Sequence, residues 1–599
     1  MSCLEALVRS MTGPRLPALA FACALLGAPV HLSAASLVRE QVPLDAGWRF
    51  HLADAPDASQ PSFDDSGWRT VDLPHDWSIE GATSPTEPSA GGGGFFPTGV
   101  GWYRRTFLAP SPSEGRLVRV EFDGVYRNAE VWINGHRLGL HPYGYTPFRF
   151  DLTPHLRLGG ENTLAVRVDN SPQPNSRWYT GSGIYRHVRL VVVDPVHLEP
   201  GGVFVATTEA TAEAATVRVE WAVRNERPTP QAVAVDVDVI PTRPVTAGIN
   251  GMGEAGVWTQ LDPLFAALDV AGYNYERARY SDDHVRLPSR VIYGAESFPA
   301  DAFASWAEAR THPWVIGDFV WSALDYLGEA GIGRVFPPGE PAVPHWEGVH
   351  YPWHGAACGD IDITGWRRPV SHHRNIVWDR GESLYVAVRE PSPTSEPWTL
   401  SQWSVPPAWP RWTWPGQEGR SLQVDVSSRH DAVRLSLNGV PIGEKPTGET
   451  HEFVASFEVP YAPGVLRAVG VRAGHEVEEL ELVTAGVARR IRLSPDRLRI
   501  RADGQDLSFV TVEVVDEDGR LRPDTSLPVR YTVTGPGAIA GIGSGDPTAR
   551  ESYRANPRRV FHGRAVVVIR STRMPGVIQL SADAAGLDGA SVTIESAPW

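Results

Sequence analysis

The stretch "RVIYGAESFPAD", residues 290–301, predicts a buried strand followed directly by a helix. Its first four residues suit a short strand, and the small residues Gly294 and Ala295 precede Glu296 where that strand ends. Pro299 then opens an amphipathic helix. A carboxylate at the carboxyl end of such a strand lies where (β/α)8-barrel enzymes hold catalytic groups. Glu296 is therefore a candidate catalytic residue, although a solvated loop glutamate would show the same local pattern.

Strand and helix alternate on both sides of this stretch. Buried parallel strands are predicted in "PVTAG", "LDVAGYNY", "SRVIYGAE" and "WVIGDFVW", and helices between them in "LDPLFAAL" and "ADAFASWAEA". A complete (β/α)8 barrel takes about 250 residues, and the segment 242–379 is little more than half that long. The pattern predicts an incomplete barrel, which is an open parallel sheet with two unpaired edges and an apolar inner face.

The rest of the chain shows short alternating strands separated by turn residues, as in the hairpin signal Asn134-Gly135. We therefore predict a multidomain, mainly β fold of jelly roll and immunoglobulin-like sandwiches with an incomplete (β/α)8 barrel in the middle. The predicted domains are a signal peptide (1–35), a jelly roll (36–194), a truncated immunoglobulin-like sandwich (195–241), the C-terminal half of a barrel (242–379), a β-sandwich (380–485) and a C-terminal immunoglobulin- or invasin-like sandwich (486–599).

Composition narrows the class of partner. The chain of 599 residues has 55 Lys and Arg against 70 Asp and Glu, so it lacks the basic surplus that a nucleic-acid partner requires. Its 21 Trp residues suit both sugar stacking and sandwich cores, and for any one of them the core is favoured. The glycine-rich stretch "AGGGGFFPTGVG" predicts a loop that either overhangs a binding site or is a plain surface loop.

The N-terminus has the pattern of an export signal. Arg9 and Arg15 precede the apolar run "LPALAFACALLGAPV", and the small residues of "LSAAS" predict cleavage near Ala35. The run is too short to span a bilayer as a stable anchor. A start codon placed too early in a cytosolic protein is the alternative. After cleavage Cys358 would be the only cysteine, so no internal disulfide is predicted.

Three groups of motifs, together with the domain order, resemble glycoside hydrolase family two, the β-galactosidase and β-glucuronidase family. The N-terminal group resembles its sugar-binding jelly roll: "VDLPHDW", "GWYRRTF", "VWINGHRLG", "YTPFRFDLT", "LAVRVDN" and "RWYTGSGIYRHVRL". The middle group resembles the second half of its barrel: "PTRPVTAG", "DVAGYNY", "IYGAESF", "HPWVIGDFVWSALDYLGEAG" and "CGDIDITGWRRPVSHHRNIVW". The last group, "WTWPGQEG" with "VRLSLNG", resembles the additional sandwich of exported bacterial members.

The resemblance implies roles for four residues. Glu296 falls on the family's nucleophile position, as retaining hydrolysis of O-glycosidic bonds requires. Tyr275 resembles the tyrosine that supports the nucleophile, with a structural tyrosine as the alternative. Trp321 matches a tryptophan that lines the sugar subsite, with barrel core as the alternative, and Asn274 is a weaker substrate-binding candidate.

The acid/base glutamate that the resemblance implies is not found. It belongs to an Asn-Glu pair at the end of an earlier barrel strand, and the chain has that pair only at Asn225-Glu226, inside the second sandwich. The carboxylates Glu254, Asp318 and Glu329 lie on neighbouring segments, but none occupies the acid/base position.

The sequence also contains the seam at which the family pattern is interrupted. Between Val239 and Thr242, the sequence pattern of the second sandwich passes directly into the pattern of the later barrel strands, which indicates an internal deletion. The family's usual magnesium ligands would lie in the missing segment, so no cofactor or metal is identifiable. A homo-oligomer stays open.

Two functions follow as hypotheses. One is a β-galactosidase-type hydrolase of a β-linked glycoside, with galactosides favoured, whose activity is impaired by the missing glutamate. The other is a catalytically dead remnant that binds carbohydrate through its sandwiches and aromatic residues.

The export signal yields a direct prediction. If the signal is cleaved near Ala35, the mature protein from its host begins close to that residue. Mass spectrometry of the N-terminal peptide measures this, and a chain that retains Met1 would contradict export through this signal.

Overall fold

A computed structural model describes residues 6–9, 39–110, 115–210, 214–233, 245–250 and 258–598. Within them the predicted multidomain, mainly β fold is confirmed. The predicted cleavage site at Ala35, the seam between Val239 and Thr242, and Glu254 lie outside the described residues. In the described part of the chain, no helix combines the length and the apolar character needed to cross a membrane.

The chain forms two compact units. One comprises Met1–Trp77, Gly99–Pro172 and Gly181–Ile240, and the other comprises Ser78–Thr98, Gln173–Thr180 and Pro241–Trp599. The glycine-rich loop and the short segment around Arg177 therefore belong to the second unit, together with the barrel segment.

The first unit contains a jelly roll of two antiparallel sheets. The six-stranded sheet has the order Arg69–Val71, Trp48–His51, Val100–Leu108, Glu161–Asp169, Ala129–Ile133, His136–His141. The four-stranded sheet has the order Glu40–Pro43, Val188–Val193, Leu117–Phe122, Phe148–Asp151. Alternate residues point into one core, as Val118, Val120 and Phe122 do. Asn134 and Gly135 form the predicted two-residue hairpin turn with positive φ of 51° and 86°.

The truncated sandwich is a small sheet in the same unit. The long strands Val196–Ala210 and Ala214–Asn225 form an antiparallel pair, and Ala6–Arg9 adds a third strand to it. The segment itself supplies only two strands, which are too few for an independently stable sandwich.

The second unit contains four parallel strands, paired in chain order: β1 (Thr246–Asn250), β2 (Val270–Asn274), β3 (Ile292–Ser297) and β4 (Val315–Val320). The α-helices are α1 (Asp262–Phe265), α2 (Tyr280–Arg286), α3 (Ala302–Thr311) and α4 (Pro369–Val377). Apolar residues from the sheet and helices form one buried cluster that includes Tyr273 and Ile292. On β4, however, Ile316 and Phe319 are 60% and 64% exposed, as expected for the edge of an open half barrel.

Two sandwiches follow the half barrel, each with its own core. In the first sandwich, one sheet has the strand order Ala408–Trp409, Leu384–Arg389, Ser421–Ser428, Val454–Pro460. Its other sheet has the order Val440–Pro446, Ala432–Leu437, Val465–Arg472, His475–Val483. In the second sandwich, the four-stranded sheet has the order Arg490–Pro495, Leu507–Val515, Arg564–Ser571, Gly537–Gly543. Its five-stranded sheet has the order Arg499–Arg501, Ala590–Ala597, Gly576–Asp583, Pro528–Thr534, Arg558–Arg559. Trp412 and Trp414 of the predicted "WTWPG" motif are buried in the first of these cores.

Short elements complete the described secondary structure. Two-stranded ladders pair Tyr326–Leu327 with Gly355–Ala356, and Val335–Phe336 with Thr399–Leu400. The 3₁₀ helices are Pro56–Ser59, Thr153–His155, Trp258–Leu261, Arg277–Arg279, Pro299–Asp301, His345–Glu347 and Glu449–His451. Pro299 thus opens a 3₁₀ turn that leads directly into α3, close to the predicted helix start.

A buried polar network makes the half barrel sensitive to one substitution. The Tyr273 hydroxyl donates to Asp283 Oδ2 over 2.6 Å, and Trp258 Nε1 donates to the same oxygen over 2.6 Å. Tyr273→Phe leaves the buried Asp283 with one donor fewer, at a cost of about 1–3 kcal/mol. We expect faster amide hydrogen exchange in peptides that contain β2, measured by mass spectrometry. Tyr143→Phe, at a 57% exposed side chain, is the control, and unchanged exchange in Tyr273→Phe would contradict the network's role.

Candidate active site

The carboxyl ends of β2 and β3 bring Asn274, Tyr275 and Glu296 together. Asn274 pairs with Glu296 across the two parallel strands, after an irregularity in the register at Tyr273 and Asn274. The next residue, Tyr275, turns back with a φ of 59°, and its backbone N–H donates to the Glu296 carbonyl over 2.6 Å. Interactions with the side chains of Tyr275 and Asn274 each act to lower the pKa of the Glu296 carboxyl, so both side chains lie close to it. The structure therefore assembles three of the four predicted site residues around one carboxylate.

The surroundings of Glu296 make its charged form less favourable than it would be in water. Burial is the largest influence and raises the pKa of the Glu296 carboxyl, and the negative charge of Glu329 raises it further. Hydrogen bonds from Tyr275 and Asn274 and the positive charge of Arg177 oppose this shift, but the pKa stays above its ordinary value.

Tyr275 is held as a neutral phenol. Burial raises the pKa of the Tyr275 hydroxyl far above its ordinary value, and the nearby Glu296 charge adds to the shift. Trp403 Nε1 donates to the Tyr275 oxygen over 2.9 Å, which leaves the phenol proton available for Glu296. The Tyr275 ring also stacks on Phe298 with centroids 4.4 Å apart. Trp403 was not predicted from the sequence, because it lies beyond the barrel segment and no local pattern distinguishes it from a core tryptophan.

Trp321, the fourth predicted residue, lines a cavity of about 410 Å³. The cavity walls are Arg177, Trp178, Tyr179, Trp321, Ser322, Tyr326, Leu327 and Glu329. Trp321 is only partly buried, and its Nε1 donates to the Tyr326 hydroxyl over 3.1 Å. Tyr326 in turn donates to Glu329, whose other carboxylate oxygen lies 3.1 Å from Arg177 Nε. The charges of Arg177 and Glu329 both act on Glu296, although Glu296 is not itself among the residues that line this cavity.

The remaining candidate carboxylates are engaged elsewhere. Asp318 on β4 is mostly buried, accepts from Ser297 Oγ over 3.0 Å and lies 3.6 Å from Arg374, and burial raises its pKa. In the first unit, Asn225 donates to the Thr229 carbonyl, while Glu226 lies 3.6 Å from Arg119. Asn225-Glu226 thus serves a local turn and an ion pair within the first unit.

Three residues of the cavity wall had no role predicted from the sequence: Arg177, Tyr326 and Glu329. Arg177 stands in "RWYTGSGIYR" and the other two in "LDYLGEAG", so all three lie inside quoted motifs without an assigned role. Among the described residues, no group of three or more His, Cys, Asp or Glu side chains is arranged to hold a metal ion.

Comparison with protein-family models gives three matches. Residues 42–194 match the glycosyl hydrolases family 2 sugar-binding domain, and residues 491–593 match the glycoside hydrolase family 2 C-terminal domain 5. Residues 419–478 match a domain of unknown function, DUF4982. The three matches agree with the jelly roll and the two C-terminal sandwiches.

Curated relatives and solved structures cover the whole architecture. Beta-galactosidase BoGH2A of Bacteroides ovatus is 28% identical over 94% of this chain and 96% of its own length. A beta-glucuronidase of Formosa agariphila is 32% identical over 30% of this chain and 20% of its own length. The crystal structure of a glycosyl hydrolase family 2 member from Bacteroides cellulosilyticus superposes with a TM-score of 0.82 at 28% identity, covering 94% of this chain and all of that one.

Fold and comparisons together give the chain the multidomain, sandwich-and-barrel architecture of its glycosidase relatives. Two segments of the chain match glycoside hydrolase family 2 models, and relatives named for that family or its activities cover nearly all of the chain, which confirms the resemblance drawn from the motifs. The alignment with the Bacteroides ovatus relative spans 865 residues, more than the 599 of this chain. Because nearly all of both chains is covered, the relative carries residues within the aligned span that have no counterpart here.

The electrostatics of Glu296 predict a stability effect. The raised pKa means that the charged carboxylate is less favourable in the folded chain than in the unfolded chain, so its cost is present at pH 7 and absent well below pH 4.5. Glu296→Gln is expected to raise the melting temperature at pH 7 by about 2 °C, and the gain should shrink as the pH falls through 4.5. Calorimetry at both pH values measures it, with the exposed Glu418→Gln as control. A loss of stability at pH 7 would contradict this account.

Proposed function

We propose that the chain is a β-galactosidase-type retaining glycosidase by descent, that Glu296 is its nucleophile, and that the missing acid/base glutamate impairs it. The observation that supports this most is the cluster at the carboxyl ends of β2 and β3, where Asn274 pairs with Glu296 and the Tyr275 N–H donates to the Glu296 carbonyl. Retaining hydrolysis requires such an oriented carboxylate to attack the anomeric carbon.

The first half of the reaction needs only this cluster and a good leaving group. A Glu296 oxygen forms a bond to the anomeric carbon while the bond from that carbon to the leaving oxygen breaks, and the electron pair stays with that oxygen. Tyr275, as a neutral phenol fixed by Trp403, orients the carboxylate by donating a hydrogen bond. Trp321 then provides an indole face for the sugar ring in the adjoining cavity.

The second half of the reaction, in which water releases the sugar from Glu296, needs a base that activates the water. In the first half, an ordinary leaving group needs an acid that protonates its oxygen. Retaining enzymes place both duties on a second carboxyl about 5–5.5 Å from the nucleophile. Among the described residues Glu329 is the carboxylate whose charge acts on Glu296, but Arg177 and Tyr326 occupy its two oxygens. Its position does not correspond to the family's acid/base strand. A carbohydrate-binding remnant without turnover is the second candidate, and the same shortage of a free carboxylate favours it.

The remaining parts of the proposal concern substrate and place of action. The β-galactosidase relative, which covers nearly the whole chain, supports a β-galactoside as substrate. The apolar run after Arg15 supports export to the periplasm or beyond. A homo-oligomer is compatible with this function and is not required by it.

The proposal predicts which substrates react. General acid assistance is typically worth 10²–10⁴ in rate, so lactose, whose leaving group needs a proton, should not turn over measurably. Dinitrophenyl β-galactoside needs little protonation and should give at most one slow burst of dinitrophenolate per chain. Stopped-flow absorbance measures the burst, which Glu296→Gln should abolish and Glu418→Gln should leave unchanged.

Added azide sharpens the same experiment. Azide attacks the glycosyl-enzyme without a general base, so it should convert the burst into steady turnover and produce β-galactosyl azide. Steady hydrolysis of lactose would refute the inference of a missing acid/base group. A burst that survives in Glu296→Gln would remove Glu296 from the nucleophile role, and the absence of any burst would favour the binding remnant.

A further inference from the structure

An ion pair with one buried and one accessible partner forms part of the cavity wall beside Glu296. Arg177 Nε lies 3.1 Å from Glu329 Oε1, and the Glu329 side chain is only 6% exposed whereas that of Arg177 is 77% exposed. The second Glu329 oxygen accepts from the Tyr326 hydroxyl. The pair therefore presents guanidinium donors and a fixed carboxylate to whatever occupies the cavity.

The glycine-rich loop holds this pair in place. The backbone N–H groups of Glu329 and Ala330 donate to the carbonyls of Gly92 and Gly91 over 2.9 and 3.0 Å. A Cβ added at Gly92 would lie 3.0 Å from the Ser176 carbonyl oxygen and 3.2 Å from Arg177 Cα. The loop thus lies close to the backbone of Arg177 and of Glu329, and a side chain at Gly92 would require the Ser176–Arg177 backbone to shift by a few tenths of an ångström. The loop therefore contacts residues that line the cavity, although none of its own residues does so.

The charges in this corner of the site disfavour an anionic sugar. Glu296 and Glu329 carry two negative charges against one positive charge on Arg177, and both neighbours act on Glu296. A sugar carboxylate would add a third negative charge, which the two carboxylates repel more strongly near the protein surface than they would in water. A hydroxyl, in contrast, can accept from Arg177 and donate to Glu329 at the same time.

We propose that the Arg177–Glu329 pair is a specificity-determining subsite that reads a sugar hydroxyl and selects neutral hexosides over uronides. This inference rests on the proposed function, since it assumes that the Glu296 site binds glycosides. On this proposal, the charges of the Arg177 and Glu329 side chains decide between a galactoside and a glucuronide, which are the substrates that give the family resemblance its two names.

Binding of two sulfur-linked ligands tests the subsite without requiring turnover. Isothermal titration calorimetry with 4-nitrophenyl 1-thio-β-galactoside and 4-nitrophenyl 1-thio-β-glucuronide should show at least tenfold tighter binding of the galactoside to the full chain. Glu329→Gln, which preserves volume and removes one negative charge, should weaken the galactoside about tenfold and strengthen the glucuronide about tenfold. Glu418→Gln makes the same charge change on an exposed residue away from the cavity and should alter neither affinity.

A second variant tests the role of the glycine-rich loop. Gly92→Ala should displace Arg177 from Glu329 and weaken the galactoside with no change in charge, while circular dichroism shows whether the fold is kept. Tighter binding of the glucuronide to the unaltered chain, or an equal response of both ligands to Glu329→Gln, would overturn the subsite. If these results occur while the dinitrophenolate burst is still seen, the specificity inference fails and the proposed function survives. If neither ligand binds and no burst is seen, both fail.

Discussion

The site depends on the parallel register of β2 and β3. Parallel strands present their carboxyl ends at one edge of a sheet, and here that edge pairs Asn274 with Glu296. The positive φ of Tyr275 then turns its side chain back towards the carboxylate, and its N–H fixes the Glu296 carbonyl. Because this arrangement uses only two neighbouring strands, it does not require a closed barrel. That is the physical reason why a half barrel can retain this cluster around Glu296.

The same geometry explains how the proposed acid/base partner of Glu296 could be missing together with the strand that would carry it. In a closed barrel the second carboxyl comes from a distant strand, on the far side of the bound sugar. The described barrel has four strands with unpaired edges, and the alignment with the Bacteroides ovatus relative passes over residues that this chain lacks. No neighbouring carboxylate can take over easily, because those nearby are already tied into ion pairs, as Glu329 is by Arg177 and Asp318 by Arg374.

The sequence predicted the parts of the fold and site that local pattern determines. Alternating strands, the Asn134-Gly135 turn and the strand–helix unit around Glu296 follow from short-range preferences of the backbone. The residues that were missed reach the site over long separations in the chain: Trp403 contacts Tyr275, and Arg177 contacts Glu329. Neither contact has a local periodicity, so only the folded structure reveals them. The helix predicted in "LDPLFAAL" is also shorter than its pattern suggests, since α1 ends at Phe265.

The central claim is that the half barrel keeps Glu296 in a reactive position while lacking the group that would release its product. The most direct measurement is peptide mass spectrometry after incubation with 2-deoxy-2-fluoro-β-galactosyl fluoride, whose fluoride leaves without a general acid. The account predicts a single, long-lived adduct on the peptide that contains Glu296. No adduct, an adduct on another residue, or rapid loss of the label in water would contradict it.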